Sequence, residues 1–189
     1  MRLAIFGGTF DPIHNAHLAA ACEAADRFRL DRVLFIPAAR PPHKRGGAHA
    51  PYPDRVRMVE LACAADPRFE VSRLEENTER SYSIATIEAL RASMAPEDEL
   101  FFIIGADAFA EIHTWLRWRD VARAVTFLVA SRPGSVYHVP PEVRFERLDN
   151  LNFEISSSAI RRDLARGIHS AELPPAVLAY ILDYHLYGT

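Results

Sequence analysis

The stretch "RLAIFGGTFDPIHNAH", residues 2–17, sets the fold and raises the question of function at once. Residues 2–6 form a short apolar run, the pattern of a strand buried on both faces. Gly7 and Gly8 follow directly and let the backbone turn sharply and approach a ligand closely. Asp11-Pro12 then reads as a helix entry, with proline near the first helical position. An Ala-rich helix is expected from about His14 to Phe28. Its start would present free N–H groups and a positive dipole end, a ready anion site. His14 and His17, three residues apart, share one face of the first turn. Imidazoles placed there can donate hydrogen bonds to a phosphate and offset its charge. Two other readings stand beside this one. The glycines make a plain structural turn with incidental histidines, or the histidines begin a zinc site. The zinc reading lacks a third ligand at useful spacing and any cysteine.

Working outward, strands and helices alternate. "RVLFIP" (32–37) is a second buried strand, and 38–53 is a long loop rich in Pro, Gly and cations. That composition supplies little to pack, which leaves closure on a substrate open. A helix is expected over 54–65, with Asp54 as N-cap and Val56, Val59, Leu61 and Ala62 as its apolar face. "FEVSRLE" (69–75) alternates like an edge strand, and 81–94 reads as a helix. "ELFFIIG" (99–105) is the strongest strand, and 124–134 is another. Residues 155–167 form a short capped helix closed by Gly167, and 174–188 a final amphipathic helix. The pattern predicts an α/β fold, a doubly wound Rossmann-like parallel sheet with helices on both faces. At 189 residues one domain is expected, with 155–189 as its C-terminal helical segment. Ligands of such sheets bind beyond the strand carboxyl ends, so "GGTFDPIHNAH", "PPHK" and "ADAFAEIHTW" should converge on one crevice.

Composition narrows the classes. The net charge of −3 argues against a nucleic-acid partner. No apolar run approaches a membrane span, and the first residues do not make a signal-peptide core. Cys22 and Cys63 lie in expected helices without metal spacing, so a reduced cytoplasmic setting is expected. A dehydrogenase reading fails in detail: "GGTFDP" is not G-x-G-x-x-G, and no acidic residue ends the second strand. That strand runs instead into "IPAARPPHK", whose cations suit phosphate. "ISSSAIRRDL" places three serines before a helix carrying Arg161 and Arg162. Taken alone it is an ordinary capped surface helix; with the first turn it reads as the other half of a polyphosphate clamp. Tyr82 opens one helix, and Trp115, downstream of "FFIIG", can stack on a flat heterocycle, while Trp118 reads as core.

These motifs together resemble the bacterial nicotinate-nucleotide adenylyltransferases. That family sits in a wider superfamily marked by [H/T]-x-G-H and I-S-S-T-x-I-R. "GGTFDPIHNAH", "PPHK", "SYS", "IGADAFAEIHTWLRW", "SRPG" and "ISSSAIR" appear in the family's order and span nearly the whole chain. The resemblance implies transfer of AMP from ATP to nicotinate mononucleotide, giving deamido-NAD and pyrophosphate, with Mg²⁺ accompanying ATP. It implies that His14, His17, Lys44 and Arg161 act on the phosphates during catalysis. Gly7, Gly8, Thr9 and Phe10 would hold nucleotide through main-chain groups, Gly105 and Asp107 the adenosine ribose, and Ser157 and Ser158 the terminal phosphates. Tyr82, Ser83, Trp115 and His43 would serve the nicotinate nucleotide. The chain departs from the motifs at Ala16, where the family has glycine, and at Ser158 and Ser83, where it has threonine. Rival readings are an adenylyltransferase acting on phosphopantetheine and a non-catalytic nucleotide-binding module. The homo-oligomeric state is left open.

Overall fold

The computed structural model describes residues 1–40, 48–131, 139–148 and 155–189. Six strands lie in one parallel sheet: β1 (Arg2–Gly8), β2 (Arg32–Pro37), β3 (Phe69–Val71), β4 (Glu99–Gly105), β5 (Thr126–Ala130) and β6 (Phe145–Leu148). Their order is β3-β2-β1-β4-β5-β6. The chain winds outward one way from β1 and then the other way from β4. The crevice therefore opens between the carboxyl ends of β1 and β4, where the order reverses. The expected doubly wound sheet is the observed one.

The strand sequences account for the two covered faces. Ala4 and Phe6 of β1, with Phe101 and Ile103 of β4, point into one cluster. Against it pack α1 (Asn15–Phe28), α2 (Tyr52–Cys63), α6 (Ser157–Leu164) and α7 (Pro175–Asp183). Leu3 and Ile5, with Leu100, Phe102 and Ile104, point the other way, under α3 (Ser83–Arg91), α4 (Ala106–Ala110) and α5 (Trp118–Ala124). In α1 the buried residues are Ala20, Ala21, Ala24 and Ala25, small side chains that bring the helix close to the sheet.

Several boundaries differ from expectation. Strand β6 is missed by pattern because its four residues, "FERL", are charged at two positions and only Leu148 is buried. β3 ends at Val71, and β5 spans five residues, not the eleven of 124–134. The helix over 81–94 is confined to Ser83–Arg91, and 106–124 holds two short helices that periodicity does not resolve. α1 starts at Asn15 with His14 as N-cap, so Asp11-Pro12 lies in the preceding turn. α2 starts after Pro51, which puts Asp54 inside the first turn, where it accepts the Tyr180 hydroxyl at 2.8 Å. α6 is capped by Ser156, whose hydroxyl accepts the Ala159 N–H. Gly167, at φ 73, supplies the left-handed turn beyond it, as expected. The last helix stops at Asp183, because His185 takes φ 50 and reverses the chain before a 3₁₀ turn at Leu186–Gly188.

The buried face of α2 holds one residue that the apolar pattern does not predict. Arg55 is 1% exposed, beside Val56, Met58, Val59 and Ala62. Its Nη1 donates to the carbonyls of Thr9 at 2.7 Å and Ala38 at 2.9 Å, and its Nε to Ala50 at 3.2 Å. The segments that leave β1 and β2 are thus tied through one guanidinium. Arg55→Met would leave three carbonyls without their donor in a dry site. The expected loss is about 3 kcal/mol or more of unfolding free energy, read from urea titration.

Candidate active site

The turn after β1 and the start of α1 form the floor of the crevice. Gly8 is the last residue of β1, so the sharp turn expected at the two glycines falls beyond them; a side-chain carbon on Gly8 would crowd the Phe10 ring at 3.0–3.2 Å. Phe10 holds φ 46 and buries its ring against Phe6, His17 and Phe35. It therefore reaches a ligand through its main chain only. Gly7 still belongs to β1, and the Thr9 carbonyl is spent on Arg55.

His14 and His17 stack with ring centroids 3.8 Å apart. The His14 backbone N–H donates to His17 Nδ1 at 3.2 Å. That bond makes Nδ1 an acceptor and places the proton of the neutral ring on Nε2. Burial pushes the His14 imidazole down to about 4. Burial, reinforced by His14, holds His17 well below its ordinary value. Both rings are therefore neutral near pH 7 before any phosphate arrives, and they act first as hydrogen-bond donors. Hydrogen-bond donation is thus the expected role that the neutral rings can fill, and a positive charge on either requires an anion to raise it. Of the first N–H groups of α1, that of Asn15 is taken by the Glu172 carbonyl at 2.8 Å, and that of His17 turns back to His14.

The start of α6 docks directly onto this turn. Ser157 donates its hydroxyl to the Pro12 carbonyl at 3.0 Å. Arg161 Nη1 donates to the Asp11 carbonyl at 2.6 Å, and Nη2 to Ser158 Oγ at 3.2 Å. The two motifs, about 145 residues apart, are thus one unit. Beside the junction opens a cavity of about 580 Å³ lined by His49, Ser158, Arg161, Arg162, Ala165 and Tyr187. The α6 members recur at helical spacing along one face.

The far wall lies on the opposite face of the sheet. Gly105 ends β4 with nothing within 4 Å of a built side-chain carbon, and Asp107 is exposed in the first turn of α4. Trp115 packs edge-on against Phe102 at 5.8 Å, and Tyr82 rests on the same apolar cluster. Ser83 is half-buried as the first residue of α3. The Tyr82 hydroxyl accepts from Arg80 at 3.1 Å. Trp118, read as core, is half-buried, with the Arg119 guanidinium over its ring at 4.4 Å. His43 and Lys44 lie outside the described residues, as does most of "SRPG".

This arrangement has counterparts. Residues 5–163 match the family model described as cytidylyltransferase-like. A curated protein of Solibacter usitatus, named "Probable nicotinate-nucleotide adenylyltransferase", is 70% identical over 188 residues, covering 100% of both chains. The chain belongs to the nicotinate-nucleotide adenylyltransferases. A Thermus thermophilus member of the same name is 43% identical over 99% of this chain and 100% of its own. Two solved structures of the Plasmodium falciparum nicotinic acid mononucleotide adenylyltransferase share the fold at 17% identity. One, complexed with APC, has a TM-score of 0.79 and covers 98% of this chain and 96% of its own. The other, complexed with NaAD, has a TM-score of 0.82 and covers 98% and 97%. Like its family, the chain is a nucleotidyltransferase enzyme.

Within this family frame, three residues escape a motif-by-motif reading: Asp11, Arg55 and Tyr187. Asp11 has no exposed surface. Burial pushes its carboxyl up, but the His49 and Ala50 amides, the Tyr187 phenol and Arg161 together hold it below the usual carboxylate range. The signal available for Arg55 is a charge on the apolar stripe of α2, in register with Val59 and Ala62. Among the described residues, no group of three or more His, Cys, Asp and Glu is placed to hold a metal. None of the helices among them is long and apolar enough to cross a membrane.

The histidine pair predicts an acid-side stability slope. The unfolded chain takes up protons on these rings below about pH 6.5, whereas in the folded chain His14 does not until about pH 4 and His17 is likewise held well below its ordinary value. Stability therefore falls as pH is lowered through that window, by up to about 1.4 kcal/mol per unit for each ring. Urea unfolding of the native chain and of His14→Gln, compared at about pH 6.5 and about pH 4.5, should show a shallower fall in the variant.

Proposed function

We infer that the chain transfers the adenylyl group of ATP to nicotinate mononucleotide in NAD biosynthesis. The observation that carries this reading is the junction of two anion-binding helix starts: the stacked histidines on α1 and the Arg161-bearing start of α6, docked on Asp11. The names of the curated relatives support the same reaction. A phosphate oxygen of the mononucleotide attacks the α-phosphorus of ATP. The bond from that phosphorus to the bridging oxygen breaks, and pyrophosphate leaves with the electron pair. The nucleophile is already an anion, so no general base is needed, and catalysis consists of positioning and charge stabilisation.

In this scheme His17 Nε2–H and His14 donate to phosphate oxygens in line with the main-chain groups of Gly7, Gly8, Thr9 and Phe10. Ser157, Ser158 and Arg161 hold the departing phosphates, Lys44 acts on the phosphates as well, and His43 serves the nicotinate nucleotide. Gly105 and Asp107 meet the adenosine ribose. Tyr82, Ser83 and Trp115 take the pyridine ring against the Phe102 face. Mg²⁺ enters with ATP. Asp11, the carboxylate built into the cradle, has its oxygens taken by protein donors, so it would not be free to hold the cation, which would stay with the ATP phosphates. The family activity and the two free cysteines fit a cytoplasmic enzyme.

Mixing the chain with ATP and nicotinate mononucleotide should release pyrophosphate. The nicotinamide mononucleotide and phosphopantetheine reactions should be slower, and faster turnover with either would overturn the substrate assignment. His17→Asn keeps an acceptor for the His14 N–H and removes the outward donor; turnover should fall about 100-fold or more with the fold retained. Trp115→Ala should raise KM for the mononucleotide by about tenfold and leave KM for ATP nearly unchanged.

A further inference from the structure

Asp11 draws its partners from three other parts of the chain. Oδ2 accepts the His49 N–H at 2.8 Å and faces His49 Nδ1 at 3.3 Å. Oδ1 accepts the Ala50 N–H at 3.1 Å and the Tyr187 phenol at 2.9 Å. Arg161 Nη1 stands 3.9 Å from Oδ2 while it holds the Asp11 carbonyl. Tyr187 itself has no role in the chemistry derived above. Tyr187 makes its bond from a left-handed backbone at φ 61, a conformation that disfavours a bulky side chain. Its ring also lines the cavity shared with Ser158 and Arg161.

We propose that Tyr187 is a positioning residue for the triphosphate: its phenol, seated on Asp11, fixes His49, Ala50 and the Arg161 guanidinium in the arrangement that the phosphates meet. This rests on the adenylyl-transfer reading. A buried carboxylate keeps its place only while its lone pairs are filled. Without the phenol, Oδ1 retains one amide donor, and the carboxylate must shift or admit water. Any shift is passed on two ways. His49 and Ala50 move with the oxygens they donate to, and Ala50 also anchors Arg55. Arg161 moves with the main chain of Asp11, and Ser158 with Arg161. Burial and the neighbouring Asp11 charge raise the Tyr187 phenol, so it remains a donor across the physiological range. The mononucleotide pocket, on the other sheet face, lies outside this chain of bonds and should not sense its loss.

Tyr187→Phe keeps the ring and removes only the hydroxyl. Calorimetry with ATP and Mg²⁺ alone, steady-state KM for each substrate, and hydrogen exchange at His49 and Ala50 would be compared with the native chain. ATP should bind about tenfold more weakly, with KM for the mononucleotide within about twofold and faster exchange at both amides. Unchanged ATP affinity overturns the proposal even if stability or exchange shifts, since the bond is then structural only. Equal weakening of both substrates overturns it as well. If Tyr187→Phe fails to fold, Asp11→Asn is judged by the same ATP-selective criterion. Failure of the native chain to form the dinucleotide would strike the adenylyl-transfer reading instead, while its ATP affinity still decides the role of Tyr187.

Discussion

Two opposite charges buried at the carboxyl edge of the sheet organise everything around them. Asp11 and Arg55 do not bond to one another. Each satisfies itself on backbone, and the pieces of backbone they hold are adjacent: Arg55 takes the carbonyls of Thr9, Ala38 and Ala50, and Asp11 takes the N–H groups of His49 and Ala50. Burying either charge alone would be costly, and it is tolerable because Arg55 is held by three carbonyls and both Asp11 oxygens accept hydrogen bonds. Residue 50 is gripped from both sides, through its carbonyl by the cation and through its N–H by the anion. The turn after β1 is thereby locked to the segment that enters α2, and Arg161 brings α6 onto the same lock.

The sheet supplies the frame for that lock. Reversal of strand order between β1 and β4 leaves a gap at their carboxyl ends, and the helices on the two faces approach it from opposite sides. One face contributes helix starts and cations from α1 and α6; the other contributes flat aromatic surface at Tyr82 and Trp115. A substrate pair with polyphosphate on one partner and a heterocycle on the other fits that division. In-line attack then needs only that the two be held in register across the gap.

Much of this was legible in the sequence for a specific reason. β1, β2, β4 and β5 are buried on both faces, so they appear as unbroken apolar runs whatever their neighbours. β6 is an edge strand with Glu146 and Arg147 in it, and no run survives. The histidine pair and the serine cap were readable because each residue type has a narrow physical use, whereas Gly7 and Gly8 stay in β1 and the left-handed turn falls at Phe10. The partners of Asp11 were not, because a bond between residues 11 and 187 leaves no mark on either local pattern. The final stretch also keeps a helical period past the point where His185 turns the backbone, which hid the route by which Tyr187 reaches the cradle. The histidines' neutrality was equally hidden, since it comes from burial, His17 being packed on Phe6 and Phe10, not from spacing.

The bond from the His14 backbone N–H to His17 Nδ1 has a consequence for selectivity. Coordination to a soft divalent ion needs an imidazole lone pair directed at it. One lone pair of His17 is consumed by the backbone, and the other nitrogen carries the proton. To ligate zinc the ring would have to lose that proton altogether or break the bond that orients it. His17, which in another turn would invite a transition metal together with His14, is thus rendered a poor ligand by a single main-chain N–H.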